Sequence, residues 1–416
     1  MRILQVVATL APLAGGPSIA CPELSRELAR QGHQVSIYAS DVDGSGHLKV
    51  PLDCPVHDDG IEIHYFRGLC WPGRYMYCPG MWRALRDTVA EFDVVHIYSV
   101  YGFSSSAAAY WCRKRGVPYM VHPHGSLDPF LRRRHRPRKW LHAKLLAERD
   151  YRKAAGVLFN STEEMRLASG WSGLKMPWGG TWKAPKRFVV PVGIDPRWLQ
   201  EPDGEAGQRF RSKNSALMGR RLVVHFGRIN FKKGLDILAD AFARVARDCD
   251  DLHLVVAGPD NEGYGRKVRR WLAEGGVLER ATFTGLLEGD DRFAVLQQAE
   301  VFALPSYTEN FGQVVAEAMA SGVPVVISDQ VNIWPDVSRA DAGLVVPCNA
   351  EATAQALRSI LDYPVRGRQM GINGRRWVAE HLPWKVVAAH MATAYDEIVR
   401  DHCARQVSRA GIPVAS

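Results

Sequence analysis

The stretch VFALPSYTENFGQVVAEAMASGVPVVI, residues 301–327, holds a whole strand–helix–strand unit. VFAL is a short apolar run that stops at Pro305, which reads as a buried strand. YTEN is a polar loop at its carboxyl end. From there Phe311, Val314, Val315, Ala318 and Met319 follow the i, i+3, i+4, i+7, i+8 spacing of one helical face. The run VPVVI then reads as a second buried strand. Two strands joined through a helix lie parallel in one sheet, with the helix on its face.

The same rhythm fills the chain on either side. In the first half, strands are expected near Arg2–Ala8, Gln34–Ala39, Ile61–Phe66, Val94–Tyr98, Pro118–Val121 and Val157–Asn160, with helices such as Ser18–Gln31 and Phe103–Arg115 between them. In the second half they are expected at Arg221–Phe226, His253–Ala257, Ala281–Thr284, Val301–Leu304, Val323–Ile327 and Leu344–Val346. Two such series in tandem predict an α/β chain of two doubly wound Rossmann-like domains facing a cleft. The polar, breaker-rich segment within Val189–Gly219 is the expected boundary. This gives an N-terminal domain over residues 1–200 and a C-terminal domain over 201–383. A last helical stretch over 384–416 has no strand after it and is free to pack back on the N-terminal domain.

The totals fit that reading. The chain has 416 residues, more than one ordinary core holds, with 46% hydrophobic and 23% charged residues. A formal charge of +9 favours anionic partners. The eight cysteines are scattered with no CxxC pair, which argues for reduced thiols in a cytosolic compartment. The apolar start MRILQVVATLAPLAGGPSIA reads as a first strand and a glycine turn rather than a signal peptide. No segment supplies the roughly 20 apolar residues of a membrane span. GYGRKV at Gly263 lacks the third glycine of a dinucleotide fingerprint and follows no strand, so an oxidoreductase is disfavoured. No recognised nucleic-acid motif is present.

Ligands of such sheets sit at the carboxyl ends of strands, and several polar groups cluster there. Glu309 lies in the YTEN loop and Glu317 two turns into the helix, so at 1.5 Å per residue their carboxylates are roughly 10 Å apart. That distance suits a sugar and a ribose joined by a diphosphate. Amides near Gly312 and Gln313 would meet the charged middle. Either glutamate alone reads as a solvated carboxylate; the full pattern is much rarer. In HFGRINFKKGLDIL, Arg228 and Lys233 lie on another strand-to-helix loop, where a guanidinium fork and an ammonium could stabilise a departing diphosphate. Two cations in that role predict catalysis without a metal. Asp41-Val42-Asp43 and Asp248-Cys249-Asp250 are short patterns that arise readily by chance.

PSYTENFGQVVAEAMASGVPVV resembles the Glu-x7-Glu signature of retaining glycosyltransferases of the GT-B fold, family 4 (glycosyl transferases group 1). The resemblance extends over both halves. It implies that Glu309 contacts the donor sugar, that Glu317 holds the ribose, and that Asn310, Phe311 and Gly312 present amides to the donor. The Gly-Arg…Lys-Gly pattern of the family falls on Arg228 and Lys233. The glycine loop at Gly15 and Gly16 implies proximity to the donor phosphates, with Gly16 the candidate contact. His124 of VHPHGSLDP is implied near the donor sugar, with Asp128 as a weaker substrate contact. The loop at Gly285 and Leu287 is implied to hold the nucleotide base.

The expected activity is transfer of a hexosyl group from a UDP- or GDP-linked sugar to a hydroxyl, with retention and by front-face displacement. It needs no cofactor beyond the nucleotide sugar as co-substrate. The acceptor is expected to be a bacterial polysaccharide or a lipid-linked glycan. Arg132, Arg133, Arg134 and Trp140 in LRRRHRPRKWLHAKLL read equally as a solvated helix start or as contacts to an anionic membrane or lipid-diphosphate acceptor. The implied location is cytoplasmic, peripheral on the inner face of the membrane. A nucleotide-sugar epimerase of the same two-domain plan, or transfer to a small-molecule acceptor, is the alternative.

Overall fold

The structure, a computed structural model, describes residues 1–71, 75–129, 147–172, 185–201 and 203–409. The chain divides into two compact units, Met1–Gly193 with Trp384–Ser416, and Ile194–Pro383. The division thus falls at Gly193, ahead of the boundary at 200, and the final helical stretch counts with the first unit.

The first unit is built on an eight-stranded sheet in the order Lys186–Val189, Gly156–Phe159, Tyr119–His122, Val94–Tyr98, Arg2–Thr9, Gln34–Ser40, Ile61–Phe66 and Val56–Asp58. The central strands are mostly apolar because both faces are covered; all five residues of VVHIY are buried, the polar His96 among them. Pairing is parallel, as in Ile3 with Val94 and with Val35. The edge strand Val56–Asp58 departs from the expected parallel pattern: it pairs antiparallel with Ile61–Phe66 through the turn at Asp59 and Gly60. The first helix runs Gly16–Arg30, starting two residues before the expected Ser18. Gly15 is the N-cap, and the Ser18 hydroxyl donates back to the Gly15 carbonyl at 2.6 Å.

The helix Trp384–Arg409 completes this unit. Val387, Ala388, Met391, Ala394, Tyr395 and Ile398 are buried in one cluster with Ile3, Leu24 and Leu158. Removing such side chains from water contributes about 1.5–3 kcal/mol for each large one. Gly156 allows the approach, since a Cβ there would lie 2.7 Å from Ile398 Cδ1.

The second unit holds a six-stranded, wholly parallel sheet in the order Ala281–Gly285, Leu252–Ala257, Arg221–Phe226, Val301–Leu304, Val325–Ser328 and Gly343–Val346. The chain fills one side outward from Arg221–Phe226, then returns and fills the other from Val301–Leu304. The strand order therefore reverses between these two neighbours. Loops leaving adjacent strands in opposite directions open a crevice at such a switch point.

Candidate active site

Three loops meet at the carboxyl edge of the second sheet through glycine. Gly227 N–H donates to Ala257 O, and Gly258 N–H to Gly285 O, both at 2.8 Å. Gly258 has φ of 138°, and a Cβ there would sit 2.0 Å from Gly227 O. Only glycine allows backbones to cross so closely. Gly285, at φ 71°, is exposed, Leu287 beyond it is half-buried, and no structural contact assigns either a role.

Past Gly227 the chain exposes Arg228 and buries Ile229. Asn230 caps a short turn, Phe231–Lys233, by accepting the Lys232 N–H at 3.0 Å. Gly234, left-handed at φ 62°, then turns the chain into the helix Leu235–Ala246. This places the Lys233 side chain in the switch-point crevice, 10% exposed, with Nζ donating to Glu309 Oε2 at 2.6 Å. Glu309 reaches this point from the neighbouring strand, Val301–Leu304. Its backbone is held from the other side: its N–H donates to Gln330 O at 3.0 Å, and its carbonyl accepts the Asn332 N–H at 3.2 Å. Lys233 and Glu309 are therefore joined, while Arg228 lies on the surface of the same loop.

The helix expected from Phe311 begins at Gln313 and runs to Ala320. Gly312 precedes it at φ 88°, where a Cβ would also come within 2.7 Å of Val331 Cγ1. No side chain caps the helix and no acid lies in its first turn, so the positive end of its dipole faces the loop and favours an anion there. Phe311 is buried, and the Asn310 side-chain Oδ1 is buried without a hydrogen-bond partner.

Glu317 is buried rather than solvated. Burial pushes its carboxyl up to about 7; Asp195 adds to this, while Arg292 and Lys233 oppose it. Asp195, Trp198 and Arg292 were not expected here. Trp198 is fully buried, and the Arg292 guanidinium lies 5.8 Å from its ring. Their positions in the sequence follow no motif, and no local pattern could have found them.

In the first unit, Gly15 (φ 106°) and Gly16 form an open turn after the first strand, with no atom within 4 Å of a Cβ built on either. His124 follows Tyr119–His122 in the left-handed conformation, φ 48°, as does Gly125 at 73°. Its ring stacks on His122 at 3.5 Å and on Tyr98 at 5.2 Å. Burial holds its pKa down to about 3, so it is a neutral imidazole, with Nε2 lacking a partner. Asp128 is half-buried in the same loop.

Behind His124 runs a buried chain that the sequence did not reveal. Gln5 Nε2 donates to the Tyr395 hydroxyl at 3.2 Å, which lies 2.6 Å from His96 Nδ1. His96 Nε2 lies 3.3 Å from His122 Nδ1, and His122 Nε2 lies 2.9 Å from Asn160 Oδ1. Burial lowers the pKa of both histidines well below the ordinary value, and with neutral rings one direction of donation, from Gln5 to Asn160, satisfies every link. Glu164 accepts the Gly125 N–H at 2.6 Å and the Asn160 N–H at 2.7 Å, tying the His124 turn to the next strand end. Arg132, Arg133, Arg134 and Trp140 lie outside the described residues.

Residues 208–377 match the family model "Glycosyl transferases group 1", and residues 15–177 match "Glycosyl transferase 4-like domain". The GDP-mannose-dependent alpha-(1-6)-phosphatidylinositol dimannoside mannosyltransferase of Mycobacterium tuberculosis is 27% identical over 398 residues, 94% of this chain and 95% of that protein. The MMP alpha-(1->4)-mannosyltransferase of Mycolicibacterium hassiacum is 32% identical over 214 residues, 51% of this chain and 48% of that one. Among solved structures, Anabaena HepE in complex with UDP-glucose superposes with a TM-score of 0.74 at 19% identity, covering 95% of this chain and 100% of that one. Sucrose-phosphate synthase of Thermosynechococcus elongatus gives 0.70 at 21%, covering 96% and 100%. At such identity the structural likeness speaks for the fold, which is GT-B.

Proposed function

We propose, from the premise that a GT-B chain matching glycosyl transferase models in both halves is a group 1 glycosyltransferase using a nucleotide-sugar donor, that it moves a hexosyl group to a hydroxyl acceptor with retained configuration. The observation that carries this reading is the Lys233–Glu309 pair at 2.6 Å, set at the switch point of the second sheet beside the buried Glu317. GDP-mannose is the proposed donor and a lipid-linked glycan the proposed acceptor. Support comes from the mycobacterial relative aligned over 95% of its length, whose name specifies both.

In this reading the donor diphosphate lies over the amide end of Gln313–Ala320. Glu309 takes hydroxyls of the sugar, and Glu317 takes those of the ribose. Lys233, directed by Glu309, and Arg228, from the surface of the loop, stabilise charge on the departing phosphate. The bond from the anomeric carbon to the phosphate oxygen breaks as the acceptor oxygen bonds to that carbon on the same face. The acceptor proton passes to the departing phosphate oxygen. Glu309 is a contact, not a nucleophile, so no glycosyl–Glu309 adduct should accumulate. His124, neutral and with Nε2 unpartnered, is suited to a hydroxyl of the sugar rather than to proton transfer.

The test is product analysis. Purified protein with GDP-mannose or UDP-glucose and a mannosyl lipid acceptor should yield an α-linked product by NMR. Lys233→Ala and Arg228→Ala should each lower turnover about 10²–10³-fold with folding preserved. Normal turnover in both variants, an inverted product, or donor isomerisation without acceptor would overturn the proposal. Among the described residues no helix is long and apolar enough to cross a membrane. The peripheral location is proposed from the basic run outside those residues, and binding to anionic vesicles tests it.

A further inference from the structure

The Lys233–Glu309 contact joins two loops that are far apart in sequence, so something must fix their separation. Three observations bear on what does. First, the loops touch backbone to backbone, because a Cβ on Gly234 would lie 2.0 Å from Pro305 O. Second, Tyr307 N–H donates to Lys232 O at 2.7 Å, one residue before Lys233. Third, the Tyr307 hydroxyl donates to Asp236 Oδ2 at 2.6 Å, on the first turn of Leu235–Ala246. Tyr307 therefore spans the Lys233 loop at both ends while standing two residues before Glu309 in its own chain.

We propose that Tyr307 and Asp236 are positioning residues for sugar transfer: their hydrogen bond fixes the Lys233 ammonium against Glu309 and the departing phosphate. The proposal rests on the reading of Lys233 as a leaving-group cation. Burial and the adjacent Asp236 carboxylate both raise the phenol's pKa, so it stays a donor across the working range. Asp236 already gains from the helix N-terminus, so local helix stability does not require the phenol. The phenol's distinct contribution is the link between loops. A shift of even about 1 Å at such a cation is expensive in rate.

The experiment compares Tyr307→Phe, Asp236→Ala, Asp236→Asn, the Tyr307→Phe/Asp236→Ala double variant and Lys233→Ala in the full chain. GDP-mannose is used in one arm and UDP-glucose in another, with the same lipid acceptor. Tyr307→Phe and Asp236→Ala should each lower kcat about tenfold while the donor KM stays within about twofold. The double variant should be no worse than the poorer single, and Asp236→Asn, which still accepts from the phenol, should recover most of the rate. Affinity for GDP, measured calorimetrically, should not change. Unchanged kcat in Tyr307→Phe, additive losses, or failed recovery by Asp236→Asn while Lys233→Ala is inactive would overturn this link alone. Full turnover by Lys233→Ala, or none by the parent with either donor, would overturn the function reading and this proposal with it.

Discussion

A buried carboxylate is costly, and Glu317 is one. Its carboxyl lies at about 7 in the folded protein, against an ordinary 4.5. Between those values the folded state holds a proton that the unfolded chain has released. The free energy of unfolding therefore falls as pH rises through that window, and the cost is fully present above pH 7. A rise of that size corresponds to about 3 kcal/mol. Glu317→Gln should flatten this slope, raising stability at pH 8 and changing little at pH 4.5, as measured by urea unfolding. If the carboxylate holds the ribose, the same variant should weaken GDP binding at least about tenfold at pH 8. A variant both more stable and poorer at binding marks a residue retained for its ligand. Gly312→Ala should reverse only the stability change: it forces a φ of 88° and a contact with Val331, so it should lose stability as well as nucleotide binding.

At the scale of elements, the row of imidazoles from His96 to Asn160 depends on a helix distant in sequence. Tyr395→Phe leaves His96 Nδ1 buried without its donor and should destabilise the first unit by about 1–3 kcal/mol in thermal or urea unfolding. An unchanged midpoint would show that water replaces the hydroxyl. These elements also show what a sequence reveals. The strands were legible because each is a short apolar run between breakers, and VFAL begins and ends where its composition says. The apolar stripe of Gln313–Ala320 was legible too, but not the fate of its far side. Ala316 and Ala320, off the stripe, are buried as well, and Arg375 of the helix Pro364–His381 donates to Ala320 O at 3.4 Å. Periodicity reports one face of one segment; what covers the other face belongs to a segment elsewhere in the chain. Asp195 and Arg292 escaped notice for that reason, whereas Lys233 and Glu309 were found because their loops sit at strand ends.

For the molecule as a whole, the charge of +9 and the cations of the second sheet lead to a prediction about metals. If Lys233 and Arg228 serve the diphosphate as proposed, turnover should survive exhaustive chelation; a loss restored by Mn²⁺ would contradict this. The two units also make distinct demands on the chain. Ile194–Pro383 is continuous and carries its own core, so expressed alone it should fold and bind GDP. Residues 1–193 without the helix Trp384–Arg409 should give an expanded species that binds hydrophobic dyes, since Tyr395, Met391 and Ile398 would be missing from its core. The helix that closes the first sheet is thus separated from that sheet by the entire second unit. On the ribosome, the earliest strands must wait, unsealed, until translation has passed Ile398, by which time the later-made sheet has been available to fold. Synthesis order and folding order are thereby reversed, and a chaperone that shelters nascent apolar surface should be needed for the part of the protein that emerges first.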